Sequence, residues 1–145
     1  EVLLTVRSRD VKDHKGQVSL PGGMREPSDP DFLSTAIRES VEEVGLEPDG
    51  LRILGRLDDY KTITGYHVAP FVGAVGSFDG LKPMTDEITE VFSFPLDIMA
   101  DTNNVRRMPV DHPDRYNEIL FVDYQGHVIW GATARILNGL MELLF

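Results

Sequence analysis

Residues 38–46 read Arg-Glu-Ser-Val-Glu-Glu-Val-Gly-Leu, and they follow the turn Pro21-Gly22-Gly23 by fifteen residues. At about 100° per residue, Glu39, Glu42 and Glu43 fall within one narrow arc of a helix. Apolar residues occupy a separate arc, which predicts a buried stripe formed by Leu33, Ala36, Ile37, Val41 and Val44. The sequence therefore predicts a helix that buries one side and gathers three carboxylates on the other.

This gathering of carboxylates is locally unfavourable. Like charges at these spacings cost about 0.2–0.5 kcal/mol per pair, and the helix dipole disfavours anions in the last turns by roughly 0.3–1 kcal/mol each. A costly local arrangement is typical of a functional site, and carboxylate oxygens suit Mg²⁺ or Mn²⁺. A solvated, glutamate-rich helix face is the alternative interpretation. The preceding glycine turn and Gly45, which ends the helix, favour a metal site.

Length and composition predict one domain over residues 1–145, because 145 residues with 41% hydrophobic content suffice for one core and are too few for two. The chain lacks cysteine, which excludes disulfides and thiolate zinc sites and favours a cytoplasmic location. No apolar stretch is long enough to span a membrane. The chain opens with Glu1 and runs directly into an apolar segment, so we expect its native N-terminus, with room for an upstream signal or strand, to be missing.

The net charge of −10 predicts that the chain does not bind nucleic acid, because a phosphate backbone requires a basic surface. A small phosphorylated ligand is compatible with this charge when a metal ion bridges the acidic pocket to a pyrophosphate. A homodimer is left open.

Hydrophobic periodicity and turn residues predict more strands than helices. Strands are predicted at 2–7, 16–20, 51–62, 66–75, 91–94 and 119–122. One helix is predicted to start with Asp29 as N-cap and Pro30 at its first position and to end at Val44; a second is predicted at 131–144. Residues 103–114 read as a polar loop whose basic residues, with the one that follows, are Arg106, Arg107, His112 and Arg115. This order of elements predicts an α+β sandwich.

Residues 23–46 resemble the box of the Nudix hydrolases, a pattern written G-x5-E-x7-R-E-U-x-E-E-x-G-U with U a bulky aliphatic residue. The residues that match in order are Gly23, Asp29, Arg38, Glu39, Glu42, Glu43, Gly45 and Leu46. Asp29 replaces the usual glutamate, eight residues rather than seven separate it from Arg38, and Ser40 replaces an aliphatic residue. The insertion precedes the core of the helix, so the spacing from Arg38 onward is intact.

This resemblance implies a Nudix-type α/β/α sandwich with a mixed β-sheet, and hydrolysis of a nucleoside diphosphate derivative by attack of water on phosphorus. It also implies that Glu39, Glu42 and Glu43 hold Mg²⁺ or Mn²⁺. Arg38 is expected to fix the orientation of a glutamate rather than to contact substrate. Glu90 is a weaker candidate, either as a further carboxylate near the metal or as the base, with an exposed surface acid as its alternative.

A second pattern lies upstream of the box and resembles the Nudix enzymes that act on coenzyme A, written L-L-T-x-R-[SA]-x3-R-x3-G-x3-F-P-G-G. The matching residues are Leu3, Leu4, Thr5, Arg7, Ser8, Gly16, Pro21, Gly22 and Gly23. Lys12 replaces the second arginine, which keeps the charge and loses the bidentate fork, and Leu20 replaces phenylalanine. The resemblance implies hydrolysis of coenzyme A to 3′,5′-ADP and 4′-phosphopantetheine or its acyl derivatives.

Several residues are candidates for binding this substrate. Gly22 and Gly23 allow close approach of the backbone to metal or phosphate. The basic candidates for its phosphates are Arg7, Lys12, His14 and Lys15. Arg7 is the strongest because it lies on an otherwise apolar strand, whereas each of the others is equally well explained as a solvated loop cation. Tyr66 and His67 are weaker candidates for stacking or hydrogen bonding, with a core position as the alternative for Tyr66. Trp130, before the last helix, is expected to have a packing role.

Three alternatives to coenzyme A hydrolysis follow from the same residues. The first is a Nudix hydrolase for another substrate, such as ADP-ribose or a nucleotide sugar. The second is a Nudix-fold binding module without catalysis, which the intact glutamates argue against. The third is an acidic α+β interaction domain, which would leave the glycine turn and both patterns as coincidences.

Overall fold

The structure, a computed structural model, describes residues 1–111 and 117–145. Within these residues the chain forms ten strands and two α-helices, which confirms the α+β class. The strands are β1 (Val2–Arg7), β2 (Val18–Ser19), β3 (Arg52–Arg56), β4 (Tyr60–Lys61), β5 (His67–Val68), β6 (Phe71–Ala74), β7 (Ile88–Phe94), β8 (Val105–Pro109), β9 (Glu118–Tyr124) and β10 (His127–Trp130). The helices are α1 (Phe32–Val44) and α2 (Gly131–Leu144), and short 3-10 helices cover Pro48–Gly50, Leu96–Ala100 and Thr102–Asn104.

Every strand pair among the described residues is antiparallel. Two three-stranded sheets have the orders β2-β1-β7 and β10-β9-β8, and two ribbons pair β3 with β6 and β4 with β5. The mixed sheet that we expected is therefore not found in this part of the chain. Parallel neighbours need a crossover of a dozen or more residues, whereas β9 and β10 are joined by a tight turn in which Gln125 and Gly126 both have positive φ.

The register between β1 and β7 decides which side chains share a face of the sheet. Val6 is paired with Glu90 and Arg7 with Ile88, with an irregularity between these two pairs. Residues paired across antiparallel strands point to the same face, and neighbours along a strand point to opposite faces. Glu90 therefore shares a face with Val6, while Arg7 points to the other face.

The main core joins both three-stranded sheets to α2. Its buried members are Leu4, Val18, Phe94, Leu96, Met99, Val105, Leu120, Val122, Ile129, Ala134 and Leu137. Burial of each large apolar side chain contributes about 1.5–3 kcal/mol. Val44 of α1 and Ile88 of β7 are buried outside this cluster. None of the helices in the described parts of the chain is long and apolar enough to cross a bilayer.

Helix α1 begins two residues later than predicted. Asp31, not Asp29, is the N-cap, and its side chain accepts a hydrogen bond of 2.7 Å from the Ser34 backbone N–H. The prediction was wrong because Asp29 has a different set of partners, described below. The end of the helix is as predicted, since Gly45 adopts the left-handed conformation with φ of 73°.

The predicted division of α1 into a buried and a solvated side is only partly correct. Val41, assigned to the buried stripe, is 37% exposed, whereas Glu43, assigned to the carboxylate side, is 5% exposed. The periodicity of a helix shows which residues share a side. It does not show that the loop after β2 covers the C-terminal part of the acidic side.

The predicted loop at 103–114 is partly a strand, because β8 pairs with β9 along its whole length. Arg106 and Arg107 gave this segment its loop-like composition, and each forms an ion pair across the sheet, with Asp123 and Glu118 respectively. These cross-strand pairs offset the charge of an edge strand. Predictions for residues 112–115 lie outside the described residues.

The two long strands predicted at 51–62 and 66–75 form one antiparallel arm that is interrupted midway. The tip is the β4–β5 hairpin and the base is the β3–β6 ribbon, which has a register shift between Ile53 and Gly55. Strand β10 was not predicted. It is a four-residue strand, and such a short segment between a turn and a helix carries little periodicity.

Candidate active site

The glycine turn after β2 lies directly against the carboxylate side of α1. The Gly22 backbone N–H donates a hydrogen bond of 3.2 Å to Oε2 of Glu43. Gly23 faces Glu39 so closely that a Cβ added to it would lie 2.5 Å from Cδ of Glu39. The pairing of turn and helix that the sequence suggested is therefore a direct contact.

Glu43 is a buried carboxylate with an unusual titration. Burial raises its pKa to about 7, and the neighbouring charge of Glu39 acts in the same direction. The Gly22 hydrogen bond and the charge of Arg7 act against this shift. Burial also raises the pKa of Glu39, against the effect of Arg38. Glu39 and Glu43 are thus neighbouring carboxylates on α1 whose ionised forms are both disfavoured by burial.

Asp29 and Arg38 form the best-paired ion pair of the site. Both Nε and Nη2 of Arg38 donate to Asp29 at 2.9 Å, in the two-bond geometry that guanidinium and carboxylate groups favour. The Thr35 hydroxyl and the Glu26 backbone N–H also donate to Asp29 at 2.9 Å. Asp29 is only 6% exposed, and these hydrogen bonds, those from Arg38 first, hold its pKa far below the usual range.

This ion pair explains how the box tolerates two of its three departures from the Nudix pattern, the aspartate at position 29 and the extra residue before Arg38. The extra residue precedes α1, in an irregular loop, so it leaves the helix unchanged. The loop brings Asp29 to Arg38 although the aspartate side chain is one methylene shorter than the usual glutamate. Asp29 is therefore a positioning residue, and its contacts are incompatible with the N-cap role that the sequence suggested.

Arg38 also contacts two of the three glutamates. Its Nη1 lies 3.2 Å from Oε1 of Glu39 and 3.2 Å from Oε2 of Glu42. The mutual repulsion of the acidic side is therefore partly offset within the chain itself, which the sequence did not indicate. Glu42 is 53% exposed at its side chain. Glu43 has no hydrogen bond to Arg38 among the described contacts, so its negative charge is the least compensated of the three.

The residues at this site fit a divalent cation, although they do not form a complete cage. In the described ranges no group of three or more His, Cys, Asp or Glu side chains is arranged to hold a metal ion. Glu39 and Glu43 nevertheless have raised pKa values, and a cation between them would stabilise both charges. Carboxylate oxygens are the ligands that Mg²⁺ and Mn²⁺ prefer, and Mg²⁺ is usually held by one or two carboxylates plus substrate phosphates.

Glu90 contacts a residue of the other three-stranded sheet in the described contacts. Its Oε1 is 3.1 Å from Nε2 of His127, and the His127 ring stacks on Phe92 with 4.4 Å between ring centroids. No described contact joins Glu90 to α1, and by register its side chain shares the face of Val6. Its predicted place beside the metal therefore has no support from these contacts.

A cavity of about 600 Å³ opens at the Arg7 end of β1, between β2 and β10. Arg7 lines it, and the Nε of Arg7 donates to the Asp13 carbonyl at 3.4 Å. Lys12 and Lys15, also predicted to bind substrate, are exposed and do not line this cavity. The predicted candidate His14 is likewise exposed, and its Nδ1 bonds the side chain of Gln17 at 3.0 Å.

Some residues that line the cavity were not predicted from the sequence to be near the substrate. Arg9 and His127 were not considered, and no local signal connects them to Arg7 because they come together only through the fold. Trp130 was expected to have a packing role; it stacks on Phe121, is 38% exposed and also lines the cavity. His67 lies on the β4–β5 hairpin, and its Nε2 is hydrogen-bonded to Oδ2 of Asp59 at 2.7 Å.

Comparison with known proteins agrees with this site. The profile described as the NUDIX domain matches residues 1–112. A protein of Pectobacterium atrosepticum described as "Uncharacterized Nudix hydrolase NudL" is 33% identical over 139 residues, which is 96% of this chain and 72% of that protein. Proteins with the same description from Photorhabdus laumondii and Yersinia pestis are 33% and 32% identical and cover 97% of this chain, which covers 75% and 71% of them.

The chain belongs to the Nudix family. It is a hydrolase, and its family acts on the pyrophosphate group of nucleoside diphosphate derivatives, in general with the help of divalent metal ions.

Proposed function

We propose that this hydrolase cleaves the pyrophosphate of coenzyme A or its acyl derivatives, giving 3′,5′-ADP and 4′-phosphopantetheine or its acyl form. The observation that carries this proposal is the position of Arg7. Arg7 belongs to the upstream pattern that resembles coenzyme A enzymes, it lines the cavity, and its charge acts on Glu43. A basic residue of that pattern, our first candidate for binding phosphate, is thus electrostatically coupled to Glu43 of the box.

In the proposed reaction, Glu39, Glu42 and Glu43 would hold Mg²⁺ or Mn²⁺, and the bound ion would neutralise phosphate oxygens and make a nearby water more acidic. Water attacks one phosphorus, the anhydride P–O bond breaks, and the leaving group departs as a phosphate monoester. A carboxylate accepts the proton that the water loses. Arg38 holds Glu39 and Glu42 in place and is itself held by Asp29. The glycine turn admits the Glu39 head group next to the backbone of Gly23.

The identity of the base is part of the proposal. Glu43 is our first candidate because Arg38 does not hold its carboxylate in the described contacts and burial raises its pKa in the metal-free protein. In this role Glu39 and Glu42 carry the metal and Glu43 accepts the proton. Glu90 is the second candidate, and it would have to separate from His127 to act. Measuring the pH profile of kcat for Glu90→Gln separates the two, since an unchanged acidic limb would exclude Glu90.

The test is a substrate panel. We would incubate the protein with coenzyme A, ADP-ribose, a nucleotide sugar and nucleoside triphosphates, with and without Mg²⁺ or Mn²⁺, and identify the products by mass spectrometry. We expect metal-dependent cleavage of coenzyme A. Cleavage of only the other substrates would overturn the coenzyme A assignment in favour of another nucleoside diphosphate derivative. Absence of cleavage of any substrate would favour a binding module.

A matched pair of variants checks that the activity belongs to this site. Glu43→Gln removes a carboxylate from the buried position, whereas Glu47→Gln changes an exposed glutamate just beyond the helix. We expect the first variant to lose activity and the second to retain it. The predicted cytoplasmic location and the open question of a homodimer stay predictions; sedimentation of the purified protein tests the latter.

A further inference from the structure

The loop between β1 and β2 departs from the coenzyme A pattern at one basic position. Lys12 stands where the pattern has its second arginine. Lys12 is exposed, and the structure leaves it out of the cavity that Arg7 lines. Arg9, at a position where the pattern accepts any residue, does line that cavity. Two arginines, Arg7 and Arg9, therefore line the cavity although one pattern arginine is absent.

The backbone at Gly16 explains how Arg9 reaches this position. Gly16 has a positive φ of 67°, a conformation that favours glycine. A Cβ at Gly16 would lie 3.6 Å from both Cγ and Nε of Arg9, so the Arg9 side chain passes directly across this glycine. The turn at Gly16 and the Arg9 side chain thus pack against each other on the wall of the cavity.

The other groups around the cavity define the chemistry of its ligand. Asp10 is the carboxylate among the lining residues, against the two arginines, so the cavity favours an anion. Trp130 and His127 are the aromatic residues among the lining residues. Helix α2 starts directly after Trp130, which makes no side-chain cap hydrogen bond, and the positive end of the helix dipole adds to the potential there. A phosphate attached to a planar aromatic group matches this combination.

We propose that Arg9 binds the 3′-phosphate of the substrate nucleoside. This inference rests on the proposed function, because it assigns one phosphate of coenzyme A to one residue of the cavity. Arg9 acts in discrimination between substrates rather than in the cleavage step. A guanidinium binds phosphate through two parallel hydrogen bonds, which a lysine cannot reproduce.

The test compares coenzyme A with 3′-dephospho-coenzyme A, which differ only in the phosphate assigned to Arg9. We expect Arg9→Ala to lower the ratio of kcat/KM for the two substrates by roughly 10- to 100-fold, the loss typical of a hydrogen bond to a charged group. Arg9→Lys should recover part of the ratio because it restores charge without the fork. Lys12→Ala should change the ratio less than Arg9→Ala does, and Arg52→Ala, on the exposed strand β3, is the matched arginine control.

Two results would overturn the role of Arg9. One is a kcat/KM ratio for coenzyme A over 3′-dephospho-coenzyme A that is the same in Arg9→Ala and Arg52→Ala. The other is a larger decrease of this ratio in Lys12→Ala than in Arg9→Ala. Calorimetric binding of 3′,5′-ADP and 5′-AMP separates this inference from the proposed function. Loss of the preference for 3′,5′-ADP in Arg9→Ala supports the phosphate site even if the wild type does not cleave coenzyme A. A third result is that the wild type cleaves coenzyme A while Arg9→Ala changes neither the kcat/KM ratio nor the binding preference for 3′,5′-ADP over 5′-AMP. That result would support the proposed function and exclude a phosphate site at Arg9.

Discussion

Substitution of Gly23 by alanine should displace a single carboxylate of the active site. The added Cβ would lie 2.5 Å from Cδ of Glu39, whereas ordinary contacts of a Cβ begin at 3.4 Å, so the carboxylate has to move by about 1 Å. The obstructing atoms are the far end of a flexible side chain, so the backbone can stay where it is. The expected effect is therefore on the position of Glu39 rather than on folding.

Gly22→Ala is the matched control, because a Cβ at Gly22 meets no atom within 4 Å and the N–H that bonds Glu43 is retained. A misplacement of about 1 Å in a reacting constellation can reduce the rate about 100-fold. We expect this loss in kcat for Gly23→Ala, measured with the substrate that the panel identifies, and little change for Gly22→Ala. The free energy of unfolding of both variants should lie within about 1 kcal/mol of the wild-type value.

The comparison of the two glycines can refute this reasoning directly. If Gly23→Ala keeps a kcat close to that of Gly22→Ala, the position of the Glu39 carboxylate does not limit the reaction. If Gly23→Ala instead loses its cooperative unfolding transition, the contact is structural. Titration of Mn²⁺ by electron paramagnetic resonance adds a reading that does not depend on turnover, and Gly23→Ala should bind the ion more weakly than Gly22→Ala.

Three further predictions concern the buried acids. Glu43→Gln should lose most activity and still fold, as circular dichroism will show; an unfolded variant would mean that Glu43 is structural. Since the pKa of Glu43 is raised from 4.5 to about 7, the folded state without metal holds the proton more tightly, and about 3 kcal/mol of stability present below pH 4.5 should be lost as the pH rises through 7. Urea unfolding across this range will measure the loss, which should be absent in Glu43→Gln. Asp29→Ala should lower the melting temperature and the activity together because it leaves Arg38 without its main partner, and an unchanged melting temperature would contradict this. Because the pKa of Asp29 is lowered, the stability that its ionised carboxylate contributes is present at neutral pH and is lost only as the pH falls below about 4.

Local rules were enough to predict the helix that carries the box and the strand that precedes it. The end of α1 at Gly45 and the whole of β1 follow from glycine's left-handed conformation and from an apolar run. The start of α1 was predicted wrongly because Asp29 and Asp31 are both good N-caps by local rules. Only the hydrogen bonds that Thr35 and Arg38, within the helix, donate to Asp29 decide between them.

The sequence by itself determined that three glutamates and an arginine share one side of a helix, because helical periodicity depends only on neighbouring residues. The tertiary structure alone decided which of those glutamates is buried, that Glu90 pairs with His127, and that Arg9 rather than Lys12 reaches the cavity. Each of these outcomes depends on contacts between segments far apart in the chain. Burial and the neighbouring charges then set the pKa of Glu43 and the sign of charge in the cavity, which spacing along the chain does not encode.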